Sequence, residues 1–234
     1  MSKDNVYKAV SKYPLLDGLA PHEIRDFIEN GRLRQIKQGT YMFHQGESAD
    51  RYCVLVSGQV KLTQITPAGH QVILHYFGPG EGVGIIAVLG DMKYPGSAYV
   101  VEECESLSWS KEVTQQLMLR YPRMALNGIE IVARRFAKLQ NRYQEISTER
   151  VEQRVALTLL RLARQFGRRT DEGILVDMPL SRQDLGEMVG TNLYNVSRIL
   201  RKWEKAGCVS IGRQRVVLSN PHEVVMISEG KSNK

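Results

Sequence analysis

The sequence predicts an α+β protein built in three parts: an antiparallel β sandwich or barrel, one long helix, and a winged helix-turn-helix. Three observations predict it. Glycines at 39, 46, 58, 69, 78 and 90 separate short apolar alternations about every ten residues. Apolar residues then recur at intervals of 3, 4, 3, 4 and 3 from Ile129 to Ile146. The stretch 180–207 has the small–turn–apolar spacing of two crossing helices. The 234 residues are 42% apolar, which supports an ordinary core and argues against disorder.

Taken in order, LLDGLAPHEIRDFIEN (15–30) predicts a short helical element with Pro21 in its first turn. Residues 33 to 110 predict strands, with turns at Ser57-Gly58 and Pro67-Ala68-Gly69. GEGVGIIAVLGDMKYPGSAYV (80–100) holds five glycines and predicts a turn, a short helical piece and a second turn. Glycine-rich turns can cradle phosphates with backbone N–H groups, yet this one contains no arginine. Residues 122–149 predict a helix about 40 Å long at 1.5 Å per residue. Its narrow seam of Ile129, Val132, Phe136, Leu139, Tyr143 and Ile146 favours pairing with a second copy over packing on its own sheet. After 151 come a helix stopped by Gly167, a polar loop (RRTDEG), a strand (GILVDMPL), two helices, a hairpin and a polar tail (SEGKSNK). The expected domains are therefore 1–120, 121–150 and 151–234.

Charge is uneven along this plan. The net formal charge is +7, but residues 1–120 carry 12 Lys/Arg against 13 Asp/Glu, and residues 151–234 carry 14 against 9. A basic excess confined to the second half suits one part meeting a polyanion while the other does something else. No run of 18 apolar residues predicts a membrane helix, and MSKDNVYKAVSKYP lacks the apolar core of a secretory signal. Cys53, Cys104 and Cys208 are odd in number and form no C-x-x-C pair, which fits a reducing, cytoplasmic setting and excludes a zinc ribbon. No nucleophile–base pair, paired carboxylates or metal cluster stands at usable spacing, so no enzyme is expected.

LSRQDLGEMVGTNLYNVSRILRKWEKAG (180–207) carries the sharpest signal. Ser181 is a good N-cap, Leu185, Met188 and Val189 form an apolar face, and Gly186 stands where two crossing helices need a small residue. Gly190 supplies the turn, and Val196, Ile199, Leu200 and Trp203 face inward on the second helix. Its other face, Asn192, Tyr194, Asn195, Arg198, Arg201, Lys202 and Lys205, suits a major groove. Arg198 can donate two hydrogen bonds to guanine, Asn195 can pair with adenine, and Lys202 and Ser181 suit phosphates, which position without specifying. The expected DNA contacts are Ser181, Arg182, Gln183, Thr191, Asn192, Tyr194, Asn195, Ser197, Arg198 and Lys202. GCVSIGRQRVVLS, following at once, reads as the wing.

This order of parts, with LVSGQVKL, GEGVGII…YPGSAYV and LSRQDLGEMVG…VSRIL as its most specific stretches, resembles the cAMP receptor protein/FNR family of bacterial transcription regulators, from about residue 15 to 225. The resemblance implies a jelly-roll sensor domain like that of cyclic-nucleotide-binding proteins, and a homodimer on a palindromic operator of double-stranded DNA. It also implies recruitment of RNA polymerase, usually as an activator. Members that bind cyclic nucleotides carry a Gly-Glu-Leu-like turn and, about ten residues on, Arg-Ser-Ala. Here Ile85 stands for the glutamate in Gly84-Ile85-Ile86, and Gly96 for the arginine in Gly96-Ser97-Ala98. The positions expected to meet adenine are Leu139 and Gln140. Burying a phosphate without its arginine costs several kcal/mol, so the signal is expected to be something other than cAMP or cGMP.

An FNR-like iron–sulfur cluster is not expected, because no cysteine precedes Cys53 and three cysteines cannot supply four ligands. His44, His70 and His75 leave haem open, although the plainer reading of each is a surface or core histidine. Oxidation sensing through Cys53 and Cys104, an organic ligand near Ile85–Leu89, control by abundance, and a sensor module acting through protein partners also stay open. The recognition helix has Tyr194-Asn195-Val196-Ser197-Arg198 where the family commonly has Glu-Thr-Val-Ser-Arg. The kept Ser197 and Arg198 suit a half-site with a guanine, and the missing glutamate argues against a TGTGA- or TTGAT-type half-site.

Overall fold

Strand alternation, capped helices and tight turns build two compact units, Met1–Lys138 and Leu139–Lys234, in a computed structural model that describes residues 3–88 and 92–231. Leu89 and Gly90, the expected second turn of the glycine-rich stretch, lie outside the described residues.

In the first unit, helix α1 (Lys3–Val10) leads through a 3-10 turn (Pro14–Leu16) to helix α2 (Pro21–Glu29). The single helical element expected over 15–30 is thus two pieces: Leu15 and Leu16 are buried at the 3-10 turn, and α2 starts at Pro21. Eight strands follow: β1 (Arg32–Ile36), β2 (Tyr41–Phe43), β3 (Arg51–Leu55), β4 (Gln59–Ile65), β5 (Gln71–Phe77), β6 (Gly82–Val83), β7 (Ser97–Glu102) and β8 (Cys104–Ser110). They form two antiparallel sheets, β1-β8-β3-β6 and β2-β7-β4-β5, the order of a jelly roll.

Two cores hold this unit. Inside the roll lie Phe43, Leu55, Val60, Phe77, Tyr94, Val100 and Cys104. Between sheet and helices lie Tyr52, Val54, Leu107, Trp109, Phe27 and Met124. Tyr52 and Val54 serve one core while Leu55 serves the other, as period-2 alternation requires. Trp109 stacks on Phe27 with ring centroids 4.1 Å apart, and its Nε1 donates to the Phe27 carbonyl at 2.8 Å.

Helix α3 (Lys111–Arg120), capped by Ser110, had no predicted counterpart. Helix α4 (Pro122–Thr148) is the predicted long helix and runs through the division between the units. Asn127, buried, donates to the carbonyls of Leu15 and Asp17 at 2.9 and 2.8 Å, which fixes the start of α4 against the 3-10 turn.

The second unit continues with α5 (Val151–Phe166), β9 (Gly167–Thr170), β10 (Gly173–Val176), α6 (Arg182–Val189), α7 (Leu193–Lys205), β11 (Val209–Gly212), β12 (Arg215–Leu218) and α8 (Pro221–Ser228). The four strands make one sheet, β11-β12-β10-β9. The RRTDEG loop is partly strand instead: β9 pairs with β10, and Arg168 Nε donates to Asp177 at 2.8 Å. Such a polar edge strand shows no apolar alternation. The chain after the hairpin is helical as well, since Asn220 caps α8 and Pro221 opens it.

Candidate nucleic-acid interface

The backbone between α6 and α7 is fixed at each step. Ser181 Oγ accepts from the Asp184 N–H at 2.9 Å while the Asp184 carboxylate accepts from the Ser181 N–H at 3.2 Å, a capping box. Helix α6 stops at Gly190, whose φ of 70° suits glycine. A Cβ on Gly186 would lie 2.8 Å from the Thr191 carbonyl oxygen, so the turn sits directly on this glycine. Asn192 Oδ1 then caps α7 by accepting from the Asn195 N–H at 2.9 Å. Asn195 Nδ2 donates back to Thr191 Oγ1 at 3.0 Å.

Helix α7 is held from behind. Val196, Ile199, Leu200 and Trp203 are buried. Trp203 Nε1 and Lys202 Nζ both donate to Glu152 Oε1 of α5, at 2.9 and 3.1 Å. Burial pushes the Glu152 pKa up, but the hydrogen bonds from Trp203 and Lys202 outweigh it and hold the carboxyl below its ordinary value. Arg154 Nε donates to the Val189 carbonyl at 2.9 Å, satisfying one of the last acceptors of α6.

The outer face is left to solvent. Tyr194 is 77% exposed, and Arg198, Arg201 and Lys205 continue its stripe at helical spacing. Among the described residues Arg198 takes part in no ion pair. Beside the stripe stands the β11–β12 hairpin, with Arg213 and Gln214 at its tip. The Gln214 carbonyl accepts from the Leu180 N–H at 3.2 Å, tying the hairpin to the residue before the α6 cap. A cleft of about 320 Å³ between them is lined by Ser181, Arg182, Gln183, Ser197, Arg213 and Gln214, among others.

The predicted contacts therefore divide. Arg182, Tyr194, Ser197 and Arg198 present side chains at the face or the cleft. Gln183 reaches it while donating to Glu187 at 2.8 Å. Ser181, Thr191, Asn192 and Asn195 spend their polar groups holding the turn. Lys202 is paired with Glu152, so a phosphate must compete for its ammonium. Arg213 and Arg215 of the wing, not among the expected contacts, also line the cleft, Arg215 donating to Glu172 at 2.9 Å.

A Crp-like helix-turn-helix domain model matches residues 153–224, and a cyclic nucleotide-binding domain model matches residues 33–121. The cyclic AMP receptor protein of Thermus thermophilus is 31% identical over 199 residues, covering 85% of this chain and 89% of that one. The chain belongs to the CRP/FNR family of transcription regulators.

A CRP-like cAMP-activated global transcriptional regulator of Mycobacterium tuberculosis, another relative of this CRP/FNR protein, is 23% identical over 206 residues, covering 88% and 92% of the two chains. The structure of the c-di-GMP responsive global regulator CLP of Xanthomonas campestris shares the fold, with a TM-score of 0.75 at 23% identity over 85% of this chain and 99% of that one.

The sensor unit of this CRP/FNR chain has its own geometry at the expected effector positions. Ile85 is buried in the core between sheet and helices, and Ile86 packs on the core of the roll. Ser97 is buried, and its Oγ accepts from the Gln45 N–H at 2.9 Å. A Cβ on Gly96 would lie 2.5 Å from the Thr63 carbonyl oxygen of β4. Gly84 sits beside the Arg51 carbonyl, whereas Leu139 and Gln140 belong to the second unit and are exposed on α4. Arg135 of α4, missed in the sequence, donates from Nη2 to the Gly82 carbonyl at 2.7 Å and lies over the Phe77 ring.

The other candidate sensors are placed as follows. Burial pushes the Cys53 and Cys104 thiols up to about 12 and about 11, so neither is a thiolate at neutral pH. His44 is exposed and lies against Tyr41, His70 is exposed, and His75 faces Glu81 at 3.3 Å. No group of three or more His, Cys, Asp or Glu among the described residues could hold a metal ion, and no described helix is long and apolar enough to cross a membrane.

Proposed function

We propose that this CRP/FNR-type regulator works as a homodimeric, sequence-specific activator that reads a palindromic operator through Tyr194, Ser197 and Arg198 and responds to a signal other than cAMP. The observation that carries the reading is the outward stripe of α7 on a turn fixed by two caps and by the approach of Thr191 to Gly186. A helix of about 10–12 Å diameter fits a major groove about 12 Å wide. Arg182 and Arg213 at the neighbouring cleft suit backbone phosphates.

The dimer reading is supported by α4. Ile129, Phe136, Leu139, Tyr143 and Ile146 are 66, 60, 57, 74 and 54% exposed in the single chain, a row of large apolar side chains along one helix. Rows of this kind mark an interface far more often than a solvated face. The signal reading is supported by Gly96, where an arginine side chain has no room to start. Recruitment of RNA polymerase by the bound dimer completes the proposal, with action inside the cytoplasm.

Sedimentation and a gel shift against genomic fragments test it together. The proposal expects a dimer that retains fragments sharing an inverted repeat, with affinity falling steeply as salt rises. A monomer, or retention without a shared repeat, counts against it and favours a sensor module acting through protein partners.

A further inference from the structure

Besides Arg32, the inward face of the sheet β1-β8-β3-β6 carries two arginines, Arg34 and Arg51. Strand residues two apart share a face, so Arg34 lies on the face of Ile36, and Arg51 on that of Cys53 and Leu55. Cys53, Leu55 and Cys104 of this face are buried, as are Ser106 and Ser108 beside them, whereas Arg51 is half-buried and Arg34 exposed. Arg51 is positioned through its backbone: its N–H donates to Tyr94 Oη at 3.1 Å, and Tyr94 Oη donates to its carbonyl at 2.7 Å.

A cleft of about 720 Å³ opens at these arginines. Glu47 and Asp50 line it as well, and the stacked rings of Phe43 and Tyr94, 3.7 Å apart, give it an apolar wall. Among the described residues none of these four charged side chains takes part in an ion pair. Gly84, Ile85, Ile86, Gly96 and Ser97 do not line the cleft, although Gly84 stands against its wall residues Arg51, Phe43 and Tyr94. Its volume is in the range of small-molecule sites, about 300–1,000 Å³.

We propose that this cleft binds a small zwitterion of the α-amino-acid class, its carboxylate on Arg34 and Arg51, its ammonium on Glu47 and Asp50, and its side chain on the Phe43–Tyr94 wall. The signs decide the class. A simple anion gains at two guanidiniums but is opposed by two carboxylates, and a simple cation meets the reverse. A ligand carrying both charges gains at both.

Calorimetry and thermal melting of the full chain, without DNA, test the site. The probes are the standard free amino acids one at a time at millimolar concentration, their N-acetyl derivatives, the matching amines that lack the carboxylate, and inorganic phosphate. At least one amino acid is expected to raise the melting temperature, with no response to its N-acetyl or amine form or to phosphate. Arg51→Gln, Arg34→Gln and Glu47→Gln, each checked for wild-type melting without ligand, are expected to weaken that binding at least tenfold. The proposal is overturned if no amino acid shifts the melt, if phosphate or an N-acetyl derivative binds equally well, or if the folded variants bind as wild type does. Because DNA is absent, failure here leaves the regulator reading standing.

Discussion

Replacing Gly186 by alanine tests the tightest contact of the DNA-binding unit. The added methyl comes within 2.8 Å of the Thr191 carbonyl oxygen and 3.3 Å of the Asn192 carbonyl carbon, where ordinary contact begins near 3.4 Å. The obstacle is backbone, held by the Thr191 N–H donating to the Gly186 carbonyl at 3.0 Å and by the Asn195 side chain on Thr191. Two effects oppose each other. Alanine improves helix propensity by about 1 kcal/mol, while overpacking costs about 1–3 kcal/mol. The clash is with a turn that cannot rotate away, so the cost wins by up to about 2 kcal/mol. For a unit of this size that lowers the melting temperature by up to roughly 10 °C. Operator affinity falls further, because the start of α7 moves with the turn. Gly190→Asn is the control: nothing lies within 4 Å of that Cβ, and asparagine tolerates the left-handed region. Calorimetric melting and fluorescence anisotropy on an operator duplex measure both effects. If Gly186→Ala melts at or above the wild-type temperature with unchanged affinity, the close approach that sets the recognition helix is absent.

Three further outcomes follow from the same geometry. Gly96→Arg restores the residue of the cyclic-nucleotide-binding members but is expected to destabilise the sensor unit by about 1–3 kcal/mol without conferring cAMP binding in equilibrium dialysis, since its Cβ meets the Thr63 carbonyl at 2.5 Å; a stable, cAMP-binding variant would contradict this. Phe136→Glu with Tyr143→Glu is expected to yield folded monomers by sedimentation, both side chains being exposed in the single chain; an unchanged dimer would move the interface off α4. The Glu152 carboxyl, held below its ordinary value near 4.5, adds stability that is full above pH 4.5 and is lost as pH falls through the lower folded value. Glu152→Gln should therefore be less stable than wild type at neutral pH and converge on it below pH 4.5 in denaturant melts; a gap that is independent of pH would assign the effect to packing alone.

Elements whose residues repeat a local period were legible in the sequence. The strands showed because glycine turns bound them, and α4 showed because its apolar seam keeps a heptad spacing. β9 was read as a loop because an edge strand of Gly-Arg-Arg-Thr has no buried face to alternate. Helix α3 went unseen because its apolar residues, Val113, Leu117, Met118 and Leu119, form no single stripe, and Leu119 is 81% exposed. At the interface, the outward Tyr194 and Arg198 could be placed from helical spacing alone. The commitment of Lys202 to Glu152, fifty residues away, is a tertiary fact no local pattern carries. Gly96 combines the two cases: the departure from arginine is visible in the sequence, and its steric reason lies in β4.

Selection of random duplexes by the wild-type chain and by Arg198→Ala tests base reading most directly. The account predicts that the wild type enriches a two-fold-symmetric sequence with half-sites about one helical turn apart and an invariant guanine in each. Arg198→Ala should lose about 1–3 kcal/mol of discrimination at that guanine and keep its preference elsewhere. Enrichment of no symmetric sequence by the wild type, or an unchanged guanine preference in a folded Arg198→Ala, would contradict it.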